Sequence, residues 1–227
     1  MFKESGLDKI IKPDGRLERW EGSFDFVSND KLKEKIVEIV SDEKNYIDKG
    51  GAGTVFDLGA YCIKLMKNRH NRKDMGYDLG NSPYQEYKIQ NLLRGLTIDG
   101  VLVPEIYGVG IGEESSAIVM GRLDAVNMQK VLNGEEKLPD NFSLEDFFAD
   151  LEGYMIDGVH ERGIIHNDLK PRNIMICRQT GKPRVIDFGR SLYFEEKPDN
   201  FRALLKHDLD DVENAYQEME QYLKTLK

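Results

Sequence analysis

Ile164-Ile165-His166-Asn167-Asp168-Leu169-Lys170-Pro171-Arg172-Asn173 decides the reading of this chain, together with Val185-Ile186-Asp187-Phe188-Gly189 a short hairpin later. The two runs hold two acids and an amide on adjacent loops, each after a short apolar strand. Phosphoryl transfer from a metal-bound nucleotide needs that set: one carboxylate orients a hydroxyl, while an amide and a second carboxylate hold magnesium. Taken singly, each Asp or Asn would read as a turn or capping residue. The joint spacing, H-x-D-L-K-x-x-N and then D-F-G, is far more specific than that.

Working outward, 227 residues suit one large domain or two joined lobes and can bury a core without staples. The two cysteines, Cys62 and Cys177, each sit in an apolar strand-like run. This predicts a reduced, intracellular setting and no disulfide framework. A formal net charge of -9 argues against non-specific nucleic-acid binding and against anionic membrane surfaces. No stretch approaches the ~20 apolar residues of a membrane span. Residues 1–6 lack the apolar core of a signal peptide. The expectation is a cytoplasmic protein that does not use the ordinary secretory route.

Residues 1–45 read as an N-terminal extension, with an amphipathic helix over 28–41 carrying Leu32, Ile36, Val37 and Val40 on one face. Residues 46–123 read as five strands and one helix. The strands fall near 46–47, 54–58, 61–65, 106–109 and 117–120, and the helix over 83–93, with a polar loop over 67–82. Residues 124–227 read as mainly helical. Ser143 is the expected cap of a helix, with Asp146 three residues on. Leu144, Phe147, Phe148, Leu151, Met155 and Val159 form its stripe, and Gly163 ends it. A last helix is expected over 208–226, with Leu209, Val212, Tyr216, Met219 and Leu223 at helical spacing. Strands first and helices second make an α+β chain.

Over about residues 45–190, and loosely over 205–222, the chain resembles the eukaryotic-type protein kinase family. The resemblance implies a two-lobed fold: a five-stranded antiparallel N-lobe with one main helix, and a truncated, mainly helical C-lobe. It also implies ATP and Mg2+ as cofactors and a protein serine or threonine as acceptor. By the same resemblance Asp168 orients the hydroxyl, Lys170 steadies the transferring phosphate, and Asn173 and Asp187 bind magnesium. Gly50, Gly51 and Gly53 match the glycine-rich loop, although Asp48 stands at the family's first glycine. Glycines let backbone N–H groups approach phosphates; outside this context such a run is more often a hairpin turn. Lys64 takes the slot of the phosphate-binding lysine, where a structural lysine would lie on an exposed face. Glu86 is its expected partner, against the alternative of a solvated helix glutamate. Met120 resembles the residue before the adenine-binding hinge, Gly121 to Leu123. Met175 would lie beneath adenine and Val55 above it. His166 is implied to be a structural brace. Gln90 stands where the family prefers an apolar residue.

Two departures sharpen the resemblance. Asn167 replaces the arginine that pairs with a phosphorylated activation loop, implying activity not switched that way. Residues 190–227 contain no A-P-E anchor and leave little room for a peptide-docking subdomain. Asp208 or Asp211 is the candidate to brace the catalytic loop. The pattern is closest to minimal bacterial or phage kinases, including effector kinases injected into host cells. Some of these, of the OspG type, bind a ubiquitin–E2 conjugate, which suggests an activating partner. Two alternatives stand beside it: a small-molecule kinase, and a kinase fold used as a binding module.

Overall fold

Short runs rich in β-branched and aromatic residues, each bounded by glycine or polar turns, build the strands of the first half of the chain. The computed structural model describes residues 19–22, 38, 42–50, 53–67, 83–111 and 115–226. Among these, β1 (Arg19–Gly22), β2 (Tyr46–Gly50), β3 (Gly53–Asp57), β4 (Tyr61–Lys67), β5 (Ile106–Ile111) and β6 (Ser115–Gly121) form one antiparallel sheet. Its order is β1-β5-β6-β4-β3-β2. Five of these strands are the ones expected from the sequence. The sixth, β1, comes from the stretch read as an extension, and pairs Arg19 with Ile111 and Gly22 with Gly108. Four residues at a sheet edge carry too little alternation to declare a strand. The helix expected over 28–41, apart from Glu38, and the loop expected over 67–82, apart from Lys67 at the end of β4, lie outside the described residues.

Helix α1 (Pro83–Leu92) lies on this sheet. Met66, Ile106, Val109 and Ile118 form a buried cluster, and Tyr84 and Tyr87 of α1 pack against it. Two compact units result: residues 1–91 with 105–122, and residues 92–104 with 123–227. The segment 92–104 was expected with the strands but packs in the second unit. There Arg184 donates to the Gly100 carbonyl (2.7 Å), and Val185 N donates to Leu102 O (3.3 Å). An irregular segment has no periodicity to assign it to a partner; its hydrogen bonds decide.

In the second unit, β7 (Ala125–Asn127) runs straight into α2 (Met128–Leu132), which Asn127 caps through its side-chain oxygen. Helix α3 (Leu144–Gly153) buries Phe147, Phe148 and Leu151. It continues through a π turn and a 3-10 turn, burying Met155 and Val159, and stops at Gly163. Ser143 sits at the N-cap position as expected, but its side chain makes no capping bond. Strands β8 (Ile164–Ile165) and β11 (Leu192–Tyr193) pair antiparallel. Strands β9 (Ile174–Cys177) and β10 (Pro183–Val185) join β7 in a small sheet of order β10-β9-β7. Helix α4 (Phe201–Thr225) starts seven positions before the expected 208. Its buried face is Phe201, Asp208, Val212, Ala215 and Met219. A charged residue in that face interrupts the apolar period, so the pattern hides the first two turns. No helix among the described residues is long and apolar enough to cross a membrane.

Gly163 is the joint between α3 and β8. Its φ is +71°, and a Cβ there would stand 2.2 Å from the Phe194 carbonyl oxygen. Gly134 has a similar φ of +74° but open space around it. Gly163→Ala is therefore expected to lose about 1–3 kcal/mol more than Gly134→Ala. Urea midpoints of the two variants check this, and equal losses would contradict it.

Candidate active site

The first unit supplies a buried ion pair. Lys64 sits in mid-β4, between Val55 of β3 and Ile118 of β6. Its Nζ lies 2.8 and 3.0 Å from the two carboxylate oxygens of Glu86 on α1. The side chains are 7% and 2% exposed, so this is not a surface pair of negligible worth. Removing one partner would strand a buried charge, at a cost of about 3–5 kcal/mol. The sequence reading paired these two residues, and the structure brings them together. Gln90, one turn beyond Glu86, is also buried.

The glycine-rich segment is a hairpin between β2 and β3, with Gly50 opposite Gly53. Gly51 lies outside the described residues. A Cβ on Gly53 would come within 2.4 Å of the Leu65 carbonyl oxygen, so close packing on β4 requires glycine there whatever binds nearby. Val55 is half-buried, Cys62 is buried opposite Met120, and Gly121 N donates to Glu105 O (2.7 Å). Burial, reinforced by Asp57, pushes the Cys62 thiol up to about 12 against the pull of Arg122. It is therefore a packing residue and not a nucleophile.

The second unit carries the loop quoted at the outset. Asp208 of α4 is fully buried and organises it. Its carboxylate accepts the backbone N–H of His166 (2.7 Å, Oδ2) and of Asn167 (2.7 Å, Oδ1). His160 Nε2 lies 3.0 Å from Oδ2. Between the two aspartates considered from sequence, the brace is Asp208. Burial instead pushes the Asp211 carboxyl above its ordinary value against the pull of Lys170. His166 Nε2 faces the Ile186 carbonyl at 3.1 Å and its ring meets Phe188 edge-on. A carbonyl only accepts, so Nε2 holds the proton and the ring acts as a brace. Asn167 adopts φ +61°, a conformation that asparagine tolerates better than most residues.

Asp168 is 6% exposed and ringed by donors. Arg172 Nη2 donates to both its oxygens (3.0 and 2.7 Å), Asn173 Nδ2 to Oδ2 (3.2 Å), and Lys170 Nζ lies 3.1 Å from Oδ1. Burial pushes the Asp168 carboxyl up, but the hydrogen bonds from Arg172 and Lys170 outweigh it and hold it below its ordinary value. The Arg172 clamp was not foreseen from sequence. The signal was an arginine four residues after an aspartate, which became informative only once a 3-10 turn closed the distance.

Asn173 donates its amide to the Asp168 backbone carbonyl (2.7 Å), which turns its side-chain oxygen the other way. Its own carbonyl accepts Ile186 N (3.0 Å), tying it to the residue before Asp187. Asp187 holds φ +65° at the start of a 3-10 turn. An amide oxygen and a carboxylate are hard donors, the kind magnesium takes. Among the described residues, no group of three or more His, Cys, Asp or Glu forms a closed metal cage.

A family model described as the protein kinase domain matches residues 42–208, most of the chain. The chain belongs to the protein kinase family. Within this kinase domain, the matched span takes in both Lys64–Glu86 and the Asp208 brace. A probable serine/threonine-protein kinase, PknB of Lactococcus lactis, is 34% identical over 89 residues, 38% of this chain and 14% of that protein. Probable kinase pknA2 of Bifidobacterium longum is 25% identical over 153 residues, 63% and 19% respectively. The chain thus spans less than a fifth of either kinase. The EKC/KEOPS complex subunit bud32 of Dictyostelium discoideum is 24% identical over 148 residues, 64% of this chain and 58% of that one. Among solved structures, WbdD superposes with a TM-score of 0.50 at 17% identity, over 74% of this chain and 36% of its own. That likeness concerns fold alone, and it agrees with the α+β, two-lobed kinase architecture.

The lowered Asp168 carboxyl has a definite sign in pH. Its stabilisation is full above the ordinary value of 3.8 and is lost as pH falls through the lower, folded value. The Tm difference between wild type and Asp168→Asn should therefore hold steady down to about pH 4 and shrink as the pH falls further. A difference that stays constant or widens would contradict it.

Proposed function

We propose that this kinase domain transfers the γ-phosphoryl group of ATP to a protein serine or threonine, with magnesium. The observation that carries the reading is the loop at 166–173. There a buried carboxylate, Asp168, and an amide, Asn173, are pinned by the same short turn beside the Asp187 segment. Magnesium, when bound, would neutralise charge on the phosphate oxygens; Asn173 and Asp187 are its proposed ligands. Lys64, held extended by Glu86, would bind phosphate, and Lys170 would steady the group in transfer. Asp168 would accept the hydrogen bond of the acceptor hydroxyl and aim its oxygen. Gly50, Gly51, Gly53, Val55, Met120, Gly121, Leu123 and Met175 are the proposed nucleotide contacts.

The short path from Asp187 to α4 supports a kinase without a phospho-switched activation segment. Between them stand only β11 and a turn, and Asn167 occupies the place of the family's phosphate-pairing arginine. We take the unit of residues 46–91 and 105–122, joined by β1, as the N-lobe and the unit of residues 92–104 and 123–226 as the C-lobe. An intracellular role, as a minimal bacterial, phage or injected effector kinase, accords with that economy. A ubiquitin–E2 conjugate is one form an activating partner could take. A second reading is favoured by the likeness to bud32, of which the chain covers 58%. In it, the domain is a small atypical kinase working inside a complex.

With labelled ATP and magnesium, wild type should label itself or a protein acceptor. Asp168→Ala and Lys64→Ala should each lower the rate at least about 100-fold, equivalent to ~2.7 kcal/mol. Equal labelling by wild type and Asp168→Ala would overturn the enzyme reading.

A further inference from the structure

Asp187 stands in a backbone conformation that has to be held. Its φ of +65° and the +61° of Asn167 are two of the three positive values found for non-glycine residues among the described residues. Such residues cost free energy and persist only where their surroundings over-determine them. The turn that carries Asp187 is fixed on its N-terminal side at Ile186. There the N–H donates to Asn173 O (3.0 Å) and the carbonyl accepts from His166 Nε2 (3.1 Å). Within the turn, Gly189 N donates to the Asp187 carboxylate (3.4 Å) and Ser191 N to Phe188 O (3.1 Å). A turn pinned at that end alone could still swing about it.

Two side chains close the C-terminal side. Asn167 Nδ2 donates to the Arg190 carbonyl (3.3 Å), and Ser191 Oγ donates to the His166 carbonyl (3.2 Å). The bonds are reciprocal: each segment gives one side-chain donor to a backbone carbonyl of the other. Arg190 Nη1, 3.7 Å from Asp168 Oδ1, adds a looser tie between the same two segments. Asn167 starts from a fixed point, because Asp208 holds its backbone N–H (2.7 Å). Ser191 is 2% exposed, so its bond is shielded from water. The β8–β11 ladder, with Ile165 opposite Leu192, takes over one residue later.

We propose that Asn167 and Ser191 are positioning residues that set Asp187 in register with Asp168. The inference rests on the kinase reading above, in which the two acids act on the same transfer. Asn167 is the chain neighbour of Asp168, so its bond to Arg190 carries the place of one acid directly to the turn that holds the other. The role asks neither side chain to touch nucleotide or metal. A displacement of about 1 Å between reacting groups can cost 100-fold in rate. Ground-state binding is more tolerant, since a bound metal can follow a small movement of one ligand. The two bonds close one joint, so losing either frees the turn and their effects do not add.

The test uses the full chain and two variants. Asn167→Gly keeps the left-handed backbone without strain and removes the amide; Ser191→Ala removes the hydroxyl. With labelled ATP, magnesium and the acceptor that wild type labels, each should lower the transfer rate at saturating ATP at least about tenfold. KM for ATP, and the stoichiometry with which a non-hydrolysable ATP analogue binds, should stay within about twofold, a split that loss of folded protein would not give. The double variant should be no more than about threefold slower than the slower single one. Without metal or nucleotide, hydrogen exchange at Gly189 and Ser191 should quicken at least about tenfold in both variants, while His166, held by Asp208, exchanges as in wild type. A wild-type transfer rate in Asn167→Gly, or exchange at Gly189 and Ser191 that does not quicken, overturns the inference and leaves the kinase reading standing. A wild type that transfers no phosphoryl group from ATP overturns both.

Discussion

The Asp208 carboxylate is the contact on which the second unit depends. It is the fully buried charge in the apolar face of α4, and it accepts two backbone N–H groups from the loop that carries Asp168. Those N–H groups belong to consecutive residues, one of them in a left-handed conformation. Without an acceptor inside the core, that turn would leave two backbone donors unpaired, the buried one of His166 costing about 1–3 kcal/mol. The helix therefore fixes the loop's path, and the loop fixes Asp168 and Asn173. Between Asp187 and α4 the chain forms only a 3-10 turn and β11, and the Asp208 brace lies just beyond them.

The first unit solves a different problem with the same physics. Lys64 is a cation in mid-sheet, and it is tolerable there because Glu86 meets it with both oxygens. The pair also fixes the position of the lysine Nζ. Both units thus bury charge at one defined place and satisfy it with short, geometrically specific hydrogen bonds.

Much of this was legible in the sequence, because the motifs are local. The resemblance to the kinase family singled out Asp168, Asn173 and Asp187 and paired Lys64 with Glu86, and the structure brings Asp168 to Asn173 and Lys64 to Glu86. What was not legible depends on partners distant in sequence. Strand β1 is defined by β5, some ninety residues on, and by no pattern of its own. The start of α4 was hidden by Asp208, whose burial makes sense only once the loop N–H groups are seen. Segment 92–104 changed units because its carbonyls find Arg184 and Val185. The Arg172 clamp needed a 3-10 turn to bring positions 168 and 172 together.

The most direct measurement is pre-steady-state phosphoryl transfer by Asp208→Asn, read beside its ATP affinity. An asparagine presents one acceptor oxygen and turns an N–H2 toward the other backbone donor, so the loop should lose its position while Lys64 and Glu86 are untouched. The account predicts that the transfer rate falls by about 100-fold while the Kd for magnesium-ATP stays within about threefold. An unchanged transfer rate, or a loss of nucleotide binding equal to the loss of rate, would contradict it.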